Sequence, residues 1–209
     1  MKRVIGGSLS LIAVVVIILL VIFIGKKSEA PPVSIPQEEP GELSGALDLE
    51  TSVVTFTGYG VGKQHVGTFA LSDESTFILG ENGELEGGEL LLDMTGITSD
   101  TQAVTNHLMT SDFFDVEQFP TASYVITNTI PTPLDQDHDL IINGNLTMKG
   151  QTHPHNVVAT YNAGTGLIQF STGIDRTKWD VSFRSSKLGE FGDAMIQDRV
   201  QIDAMIDID

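Results

Sequence analysis

Four basic side chains within twelve positions near the C-terminus are the residues best suited to hold a polar ligand. Beyond Lys27 the chain has only seven Lys and Arg residues, and four of them share this window: Arg176, Lys178, Arg184 and Lys187. Arg can bind a phosphate through two parallel hydrogen bonds, and the neighbouring Trp179 could mark an apolar entrance. The window therefore predicts a site for a phosphate or a polar lipid headgroup. The alternative is that these residues pair with nearby carboxylates such as Asp175, in pairs that are individually worth little.

Histidines offer a second set of candidate ligands. His65 follows a turn glycine, Gly62, on a strand phase expected to point inward, where it can hydrogen-bond a ligand or be satisfied within the core. The headgroup candidates are therefore His65, Arg176, Lys178 and Trp179. His153 and His155 could point the same way on a strand, but they flank a proline and no third ligand has a suitable spacing. We predict no metal site.

The sequence lacks the motifs of the common enzyme classes. It contains no cysteine, which excludes a disulfide framework, a thiolate nucleophile and a cysteine zinc site. It also lacks the Gly-x-Ser-x-Gly, His-Glu-x-x-His, phosphate-loop and dinucleotide-binding patterns. We therefore predict no catalytic residue and no cofactor.

The N-terminal residues are strongly apolar. Residues 4–25 carry no charged side chain, and a helix of this length can cross a hydrocarbon core of about 30 Å. We interpret residues 1–27 as an uncleaved membrane anchor, the alternative being a signal peptide cleaved after Ala30. Residues 28–44 hold four prolines and four glutamates, a composition that predicts an extended tether. The domain of residues 45–209 would then be exported, facing the periplasm or the cell exterior.

The exported part is strongly acidic. The formal net charge of the chain is −17, and four of the eleven basic residues but none of the 28 acidic ones lie in residues 1–27, which leaves −21 on the remainder. A domain of this charge is not expected to bind nucleic acid or an anionic membrane face through bulk charge. It also keeps the domain soluble.

The residues after the tether follow the period of β-strands. The clearest case is a set of alternating apolar positions at the C-terminus: Val200, Ile202, Ala204, Ile206 and Ile208. About eight such segments, separated by turn signals such as Asn82-Gly83, predict an all-β, antiparallel, eight-stranded barrel, with a sandwich as the alternative. Only residues 101–114 favour a helix, with Ser99, Asp100 or Thr101 as the N-cap, so we expect one or two short helices.

The inward phases of these strands predict an apolar interior. An eight-stranded barrel is just wide enough to be filled by its own side chains or to hold one small ligand. If it is hollow, a hydrocarbon chain would gain roughly 25 cal/mol per Å² of buried apolar surface. The predicted cavity wall consists of Phe56, Phe69, Leu92, Met94, Leu108, Phe113, Phe114, Tyr124, Ile126, Ile142, Leu146 and Phe170. The alternative is a filled barrel that meets a partner protein through its loops.

Five short motifs resemble those of the YceI-like family. In chain order they are His65–Phe69, the tract Asn106–Ala122, the strand Gly144–Gly150 that reads G-N-L-T-M-K-G, the strand end Ile174–Trp179 that reads I-D-R-T-K-W, and residues 192–198. The resemblance covers residues 45–209 and implies a lipocalin-like barrel whose apolar interior holds a long isoprenoid or another lipid. The segments Tyr59–His65 and Asp175–Trp179 differ from the commoner members, which affects the polar end of the ligand.

We therefore expect a membrane-tethered lipid-binding barrel. Its predicted function is the non-enzymatic binding, storage or transport of a long-chain isoprenoid-like lipid, with quinone-like and fatty-acyl lipids as alternatives. The predicted partners are this lipid, the membrane through residues 4–25 and a second copy in a homodimer; nucleic acid is not among them. The competing hypotheses are a cell-surface interaction module with a filled interior and a lipid-modifying enzyme.

Overall fold

The computed structural model describes residues 43–131, 139–188 and 195–209. The predicted membrane anchor, residues 1–27, and the predicted tether up to residue 42 lie outside this part of the chain. Within the described residues, no helix has the length and apolar character needed to cross a bilayer. The first strand begins at Leu43, two residues before the predicted start of the domain.

The described residues form ten strands, one α-helix and two short 3-10 helices. The strands are β1 (Leu43–Ala46), β2 (Val53–Gly60), β3 (Lys63–Leu71), β4 (Thr76–Leu79), β5 (Leu85–Ser99), β6 (Thr121–Pro131), β7 (Leu140–Met148), β8 (Gln151–Asn162), β9 (Leu167–Asp175) and β10 (Arg199–Ile206). The helix α1 (Gln102–Leu108) lies between β5 and β6, and the 3-10 helices (Arg176–Trp179 and Ser186–Leu188) follow β9. The predicted all-β class with a short helix is confirmed.

Eight of these strands close into an antiparallel barrel. In the order β5-β3-β2-β10-β9-β8-β7-β6 each strand pairs with the next, and β6 pairs with β5 through residues such as Tyr124 and Leu90, which closes the ring. β1 and β4 extend the wall at one end, because β4 pairs with the first residues of β5 and β1 pairs with β4. Closure pairs both edges of every strand in the ring. The predicted eight-stranded barrel is confirmed.

The connections define two ends of the barrel. At one end, which we call the mouth, lie the β2–β3 hairpin, α1 with the segment that follows it, the β7–β8 turn and the residues between β9 and β10. β1, β4 and the C-terminal residues lie at the opposite end, which we call the base; there Ala46 and Asp209 exchange backbone hydrogen bonds of 3.1 and 2.9 Å. All seven Lys and Arg residues beyond Lys27 lie at the mouth, in its connections or at the strand ends beside them.

The helix begins where the sequence predicts but ends early. Thr101 is the N-cap, and its side chain accepts a hydrogen bond from the Val104 N–H at 3.3 Å. The predicted helical region extended to residue 114, whereas α1 ends at Leu108. Residues 110–112 read Thr-Ser-Asp, which favours turns over helix. The chain turns back there, and the Phe114 N–H donates to the Leu108 carbonyl at 3.1 Å.

Alternate side chains of the ring strands face one apolar interior. On β10, Ala204 and Ile206 are buried, whereas Asp203 between the inward positions is exposed, as a period of two requires. On β2 the inward positions Val54 and Phe56 are likewise buried. The interior therefore collects one residue in two from each strand, and the height of each residue along the barrel decides which part of the interior it meets.

Candidate functional site

The interior of the barrel is hollow over part of its height. It contains an apolar chamber of about 100 Å³, lined by 19 residues from β4 and from all eight strands of the ring. On β9 the lining runs from Ile168 to Ile174, a distance of about 20 Å at the usual rise of a strand. The barrel is therefore not filled by its own side chains, and the chamber is long relative to its volume.

The few polar side chains in the chamber wall are satisfied within the fold. The Tyr124 hydroxyl donates to the His155 carbonyl at 2.8 Å and lies 3.2 Å from the Ile142 carbonyl oxygen. His155 Nε2 and Thr172 Oγ1 are 3.3 Å apart. Burial raises the pKa of Tyr124 and lowers the pKa of His155, which the positive charge of Lys178 lowers further. Both wall residues are therefore neutral near pH 7, and the chamber presents an apolar surface.

A second compartment, which we call the vestibule, lies at the mouth. Its volume is about 400 Å³, and its wall includes the β2–β3 hairpin, α1, Phe113, residues 183–184 and residues 195–196. Four of its wall residues are basic: Lys63, His65, His107 and Arg184. Among the described residues, the vestibule and the chamber have no wall residue in common. The chamber and the vestibule therefore have different linings.

The two vestibule histidines are held by carboxylates. His65 Nδ1 lies 2.9 Å from Asp100 Oδ1, and His107 Nε2 lies 2.8 Å from Asp112 Oδ2. The hydrogen bond with His65 lowers the pKa of Asp100. His107 also packs edge-on against two phenylalanine rings, at centroid distances of 5.0 and 4.8 Å. These contacts fix both imidazoles in the vestibule wall, where they can meet the polar part of a ligand.

Three aromatic rings are in contact where the chamber meets the vestibule. The ring centroids of Phe56 and Phe69 are 5.1 Å apart, and Phe114 meets Phe69 edge-on at 6.1 Å. Phe69 lines the chamber, whereas Phe56 lines the vestibule. We call Phe56, Phe69 and Phe114 the aromatic partition, because Phe56 and Phe69 contact each other from opposite compartments and Phe114 packs against Phe69.

The structure places the twelve predicted wall residues in three settings. Seven line the chamber: Phe69, Leu92, Tyr124, Ile126, Ile142, Leu146 and Phe170. Three line the vestibule instead: Phe56, Leu108 and Phe113. The last two, Met94 and Phe114, pack in or against the core and line neither compartment. These five residues do not line the chamber, and the reason differs between them. For Phe56 and Met94, a period of two gives the face of a strand but not the height along the barrel. Leu108, Phe113 and Phe114 lie in α1 or in the segment after it, outside the strand pattern. Contact of any of the twelve with a lipid stays a prediction.

Arg176, the first predicted headgroup residue, is buried inside the mouth. It is 3% exposed, and its guanidinium donates to three backbone carbonyls, those of Gln197, Val181 and Ile196, at 3.1, 2.6 and 3.1 Å. Asp198 Oδ1 lies 3.6 Å from its Nη2 atom. Burial lowers the pKa of Arg176, and Asp198 acts in the opposite direction. The guanidinium therefore links Val181 to Ile196 and Gln197, and the three carbonyls occupy three of its five N–H donors.

The other predicted headgroup residues differ in exposure. Trp179 is 1% exposed, and its Nε1 donates to the Leu146 carbonyl at 2.9 Å. Lys178 is exposed, and His65 lines the vestibule. Of the four candidates, only Lys178 and His65 therefore present polar atoms that a ligand could reach. A headgroup role for any of them stays a prediction.

The other two basic residues of the window, Lys187 and Arg184, also differ in their surroundings. Lys187 Nζ lies 2.6 Å from Asp175 Oδ2 and 2.6 Å from Thr177 Oγ1, which is the local pairing that the sequence offered as the alternative. Arg184 instead lines the vestibule. Sequence reasoning missed Lys63 as a vestibule residue and His155 as a chamber residue. For His155 a signal was available, because it shares the strand phase of the inward Val157.

An eight-stranded antiparallel ring around an apolar chamber is the architecture of lipocalin-like ligand-binding barrels. The model of the YceI-like domain family matches residues 46–208 of this chain. The chain therefore belongs to the YceI-like family, and the resemblance seen in its motifs is confirmed.

Solved structures with this fold include two that match along almost their whole length. BcnA from Burkholderia cenocepacia superimposes with a TM-score of 0.62 at 18% sequence identity, and the match covers 78% of this chain and 99% of BcnA. A polyisoprenoid-binding domain from Saccharophagus degradans, implicated in plant cell wall breakdown, superimposes with a TM-score of 0.55 at 11% identity, covering 79% of this chain and 97% of that domain. At these identities the likeness shows the fold alone. The comparison with curated proteins found no match.

Proposed function

We propose that this protein binds the hydrocarbon chain of an isoprenoid-like or other long-chain lipid inside the apolar chamber, without changing the lipid covalently. The observation that carries the proposal is the chamber itself, about 100 Å³ of space with an apolar wall. Protein interiors are normally packed as densely as organic crystals, so an unfilled apolar volume of this size is unusual. Apolar cavities stay dry and accept apolar guests.

The shape of the chamber favours a chain over a compact ligand. The lining extends about 20 Å along β9, whereas the volume of the chamber is only about 100 Å³. A narrow tube of this kind gives a hydrocarbon chain apolar contacts on every side, at roughly 25 cal/mol per Å² of surface removed from water. The Saccharophagus degradans domain, which has the same fold, is described as polyisoprenoid-binding, which supports an isoprenoid as the occupant.

The absence of a covalent step is the second part of the proposal. Covalent catalysis needs a nucleophile and a base within hydrogen-bond reach of each other and of the substrate. Within the described part of the chamber wall, the hydroxyl and imidazole groups belong to Tyr124, His155 and Thr172, whose contacts are with the fold and with each other. This arrangement supports binding, storage or transport of the lipid.

The third part of the proposal concerns location. We propose that the barrel is exported and held beside the membrane, which would shorten the path of a lipid between bilayer and chamber. Residues 4–25 support this because they are uncharged and long enough to span a bilayer. The proline-rich residues that follow support a tether. A homodimer stays a prediction.

Native mass spectrometry tests the proposed function most simply. The barrel can be produced as residues 39–209, since BcnA, 99% of which is covered by the match, shows that this fold is stable as a separate chain. We expect a mass increment that organic extraction removes and that re-forms when the extracted barrel is incubated with geranylgeraniol. A folded barrel that is recovered empty, and that takes up no geranylgeraniol, would contradict the proposal.

A further inference from the structure

The border between the two compartments crosses the neighbouring strands β2 and β3. On each strand one inward residue lines the chamber, and an inward residue nearer the mouth lines the vestibule. On β2, Val54 lines the chamber, whereas the next inward residue, Phe56, lines the vestibule. On β3, Phe69 lines the chamber and pairs with Val54, whereas His65, four residues towards the mouth, lines the vestibule. The inward position between them is Gly67, which pairs with Phe56. The Phe56 ring therefore lies at the height where the chamber ends.

Gly67 explains why the Phe56 ring can lie against the wall at this height. A Cβ atom at residue 67 would lie only 2.4 Å from the Phe56 Cζ atom and 2.1 Å from the Thr98 carbonyl oxygen. The missing side chain thus makes room for the ring, which Phe69 then contacts at 5.1 Å between centroids. The position of the ring is fixed by the sequence of both strands.

The vestibule side of the ring is open. A Cβ atom added at Gly58, the next inward position of β2, would meet nothing within 4 Å. Gly58 lines the vestibule, whose volume is about 400 Å³. Space for more of a hydrocarbon chain therefore exists beyond Phe56, but the aromatic partition stands between this space and the chamber.

We propose that Phe56 determines chain-length specificity, by limiting the length of hydrocarbon that the chamber holds. The inference rests on the proposed function and adds to it. In the wild-type barrel the chain fills the chamber up to the aromatic partition, and any further length stays outside the apolar wall. Removal of the Phe56 ring joins the chamber to the vestibule, so that a longer chain is buried in one continuous space.

The test is the affinity of the barrel for isoprenoid alcohols of increasing length, namely geraniol, farnesol, geranylgeraniol and solanesol. In the wild type, affinity rises with length up to a chain of about 15 Å, the extent of the chamber along the barrel axis when the tilt of β9 is allowed for, and then stops rising. In Phe56→Ala, we expect solanesol to bind at least about tenfold more tightly than in the wild type. Burial of two further methylene groups of the chain is enough to raise the affinity by that factor. Geraniol, which is shorter than the chamber, should bind equally well to both.

Three further variants keep the test decisive. Phe56→Leu is a milder substitution for the case in which the alanine variant does not fold, and it should move the length limit in the same direction. Leu85→Ala also removes a buried side chain, but Leu85 lines neither compartment, so the length limit should not move. Gly58→Leu added to Phe56→Ala refills the open space and should restore the wild-type limit.

The outcomes separate the inference from the proposed function. If the alcohols bind but the length limit is the same in the wild type and in the folded Phe56 variants, Phe56 does not set it and the inference is overturned while the proposed function stands. If no alcohol binds to the folded wild-type barrel, both are overturned. A limit that moves with Phe56, stays with Leu85→Ala and returns with Gly58→Leu supports both.

Discussion

The chamber and the vestibule are both lined in part by β2 and β3, yet they differ in volume, polarity and charge. Towards the base, β2 and β3 present Val54 and Phe69 to the interior; towards the mouth the same inward phases present Gly58, His65 and Lys63. The chamber is therefore narrow and apolar, and the vestibule is wide and partly charged. The comparison teaches that alternation defines the inner face of a barrel, whereas residue type along that face decides which part can hold a hydrocarbon chain.

The mouth and the base of the barrel also differ in charge. All seven Lys and Arg residues beyond Lys27 lie at the mouth. The base carries carboxylates, among them Asp48, Glu50, Glu84 and Asp207, and no Lys or Arg among its described residues. The vestibule presents Lys63, Arg184 and two histidines, so a polar group that entered it would meet basic side chains.

The largest effect on stability is expected from Arg176, which supports the vestibule and not the chamber. Arg176→Met should lower the free energy of unfolding by about 3–5 kcal/mol, because it leaves Asp198 and three carbonyl oxygens without their buried cation. Urea unfolding measures the loss. Lys178→Met, at an exposed neighbour, is the control and should change stability by less than about 0.5 kcal/mol. Normal stability of Arg176→Met together with a selective loss of phosphate-bearing lipids would instead assign Arg176 to the headgroup.

Filling the chamber should abolish binding while leaving the vestibule intact. Ile126 lines the chamber, and Ile126→Trp should weaken geranylgeraniol binding at least about a hundredfold, equivalent to about 2.7 kcal/mol. The cost in stability should stay within about 1–3 kcal/mol, because the added ring occupies existing space. Titration calorimetry and urea unfolding measure the two effects. Val125→Trp, at the outward-facing neighbour that is 37% exposed, should bind normally. An unfolded Ile126→Trp barrel would mean that the space is too small for a guest.

Two glycines of the inner face should respond in opposite ways to the same substitution. Gly67→Ala should destabilise the barrel by about 1–3 kcal/mol, because its Cβ would overlap the Thr98 carbonyl oxygen and the Phe56 ring. Gly58→Ala should be neutral or stabilise by up to about 1 kcal/mol, because its Cβ meets open space and the unfolded chain loses freedom. Thermal unfolding of both variants checks the contrast. Equal loss of stability in both would contradict the placement of the open space beyond Phe56.

Lowering the pH should destabilise the barrel through His155. We expect this to be the smallest of the four predicted effects. Burial lowers the folded-state pKa of His155 below its usual value of 6.5. The unfolded state therefore binds the proton more readily, so this contribution to stability is present above pH 6.5 and is lost as the pH falls towards the lowered folded-state pKa. His155→Gln should remove this part of the pH dependence, seen as a smaller loss of urea midpoint between pH about 7 and pH about 5. An unchanged pH profile would place His155 in water.

Much of the fold could be predicted because its determinants are local. The alternation of Ile202, Ala204 and Ile206 gives the face of β10 without any knowledge of its neighbours, and eight such strands suit a closed barrel. The N-cap at Thr101 is also a local signal. The end of α1 was predicted too late, because the apolar residues after Leu108 continue a helix-like pattern while the Thr-Ser-Asp turn stops the helix.

The site could be predicted only in part, because compartments depend on contacts between distant residues. Phe56 and Phe69 have the same inward phase, but their separation into vestibule and chamber follows from the register of β2 against β3. Arg176 looked like a surface cation, and its burial depends on carbonyl groups about twenty residues further along the chain. No periodicity or composition of the local sequence contains this information.

The most direct test of the central claim is to locate a chain inside the barrel. A crystal structure with a long-chain alcohol that carries bromine at its far end gives the position of that end from the anomalous signal. We predict the bromine deep in the chamber, near Phe77 and Ile168 at the base, with the hydroxyl at the aromatic partition. Bromine found only on the outer surface, with the chamber closed by its own side chains, would contradict the account.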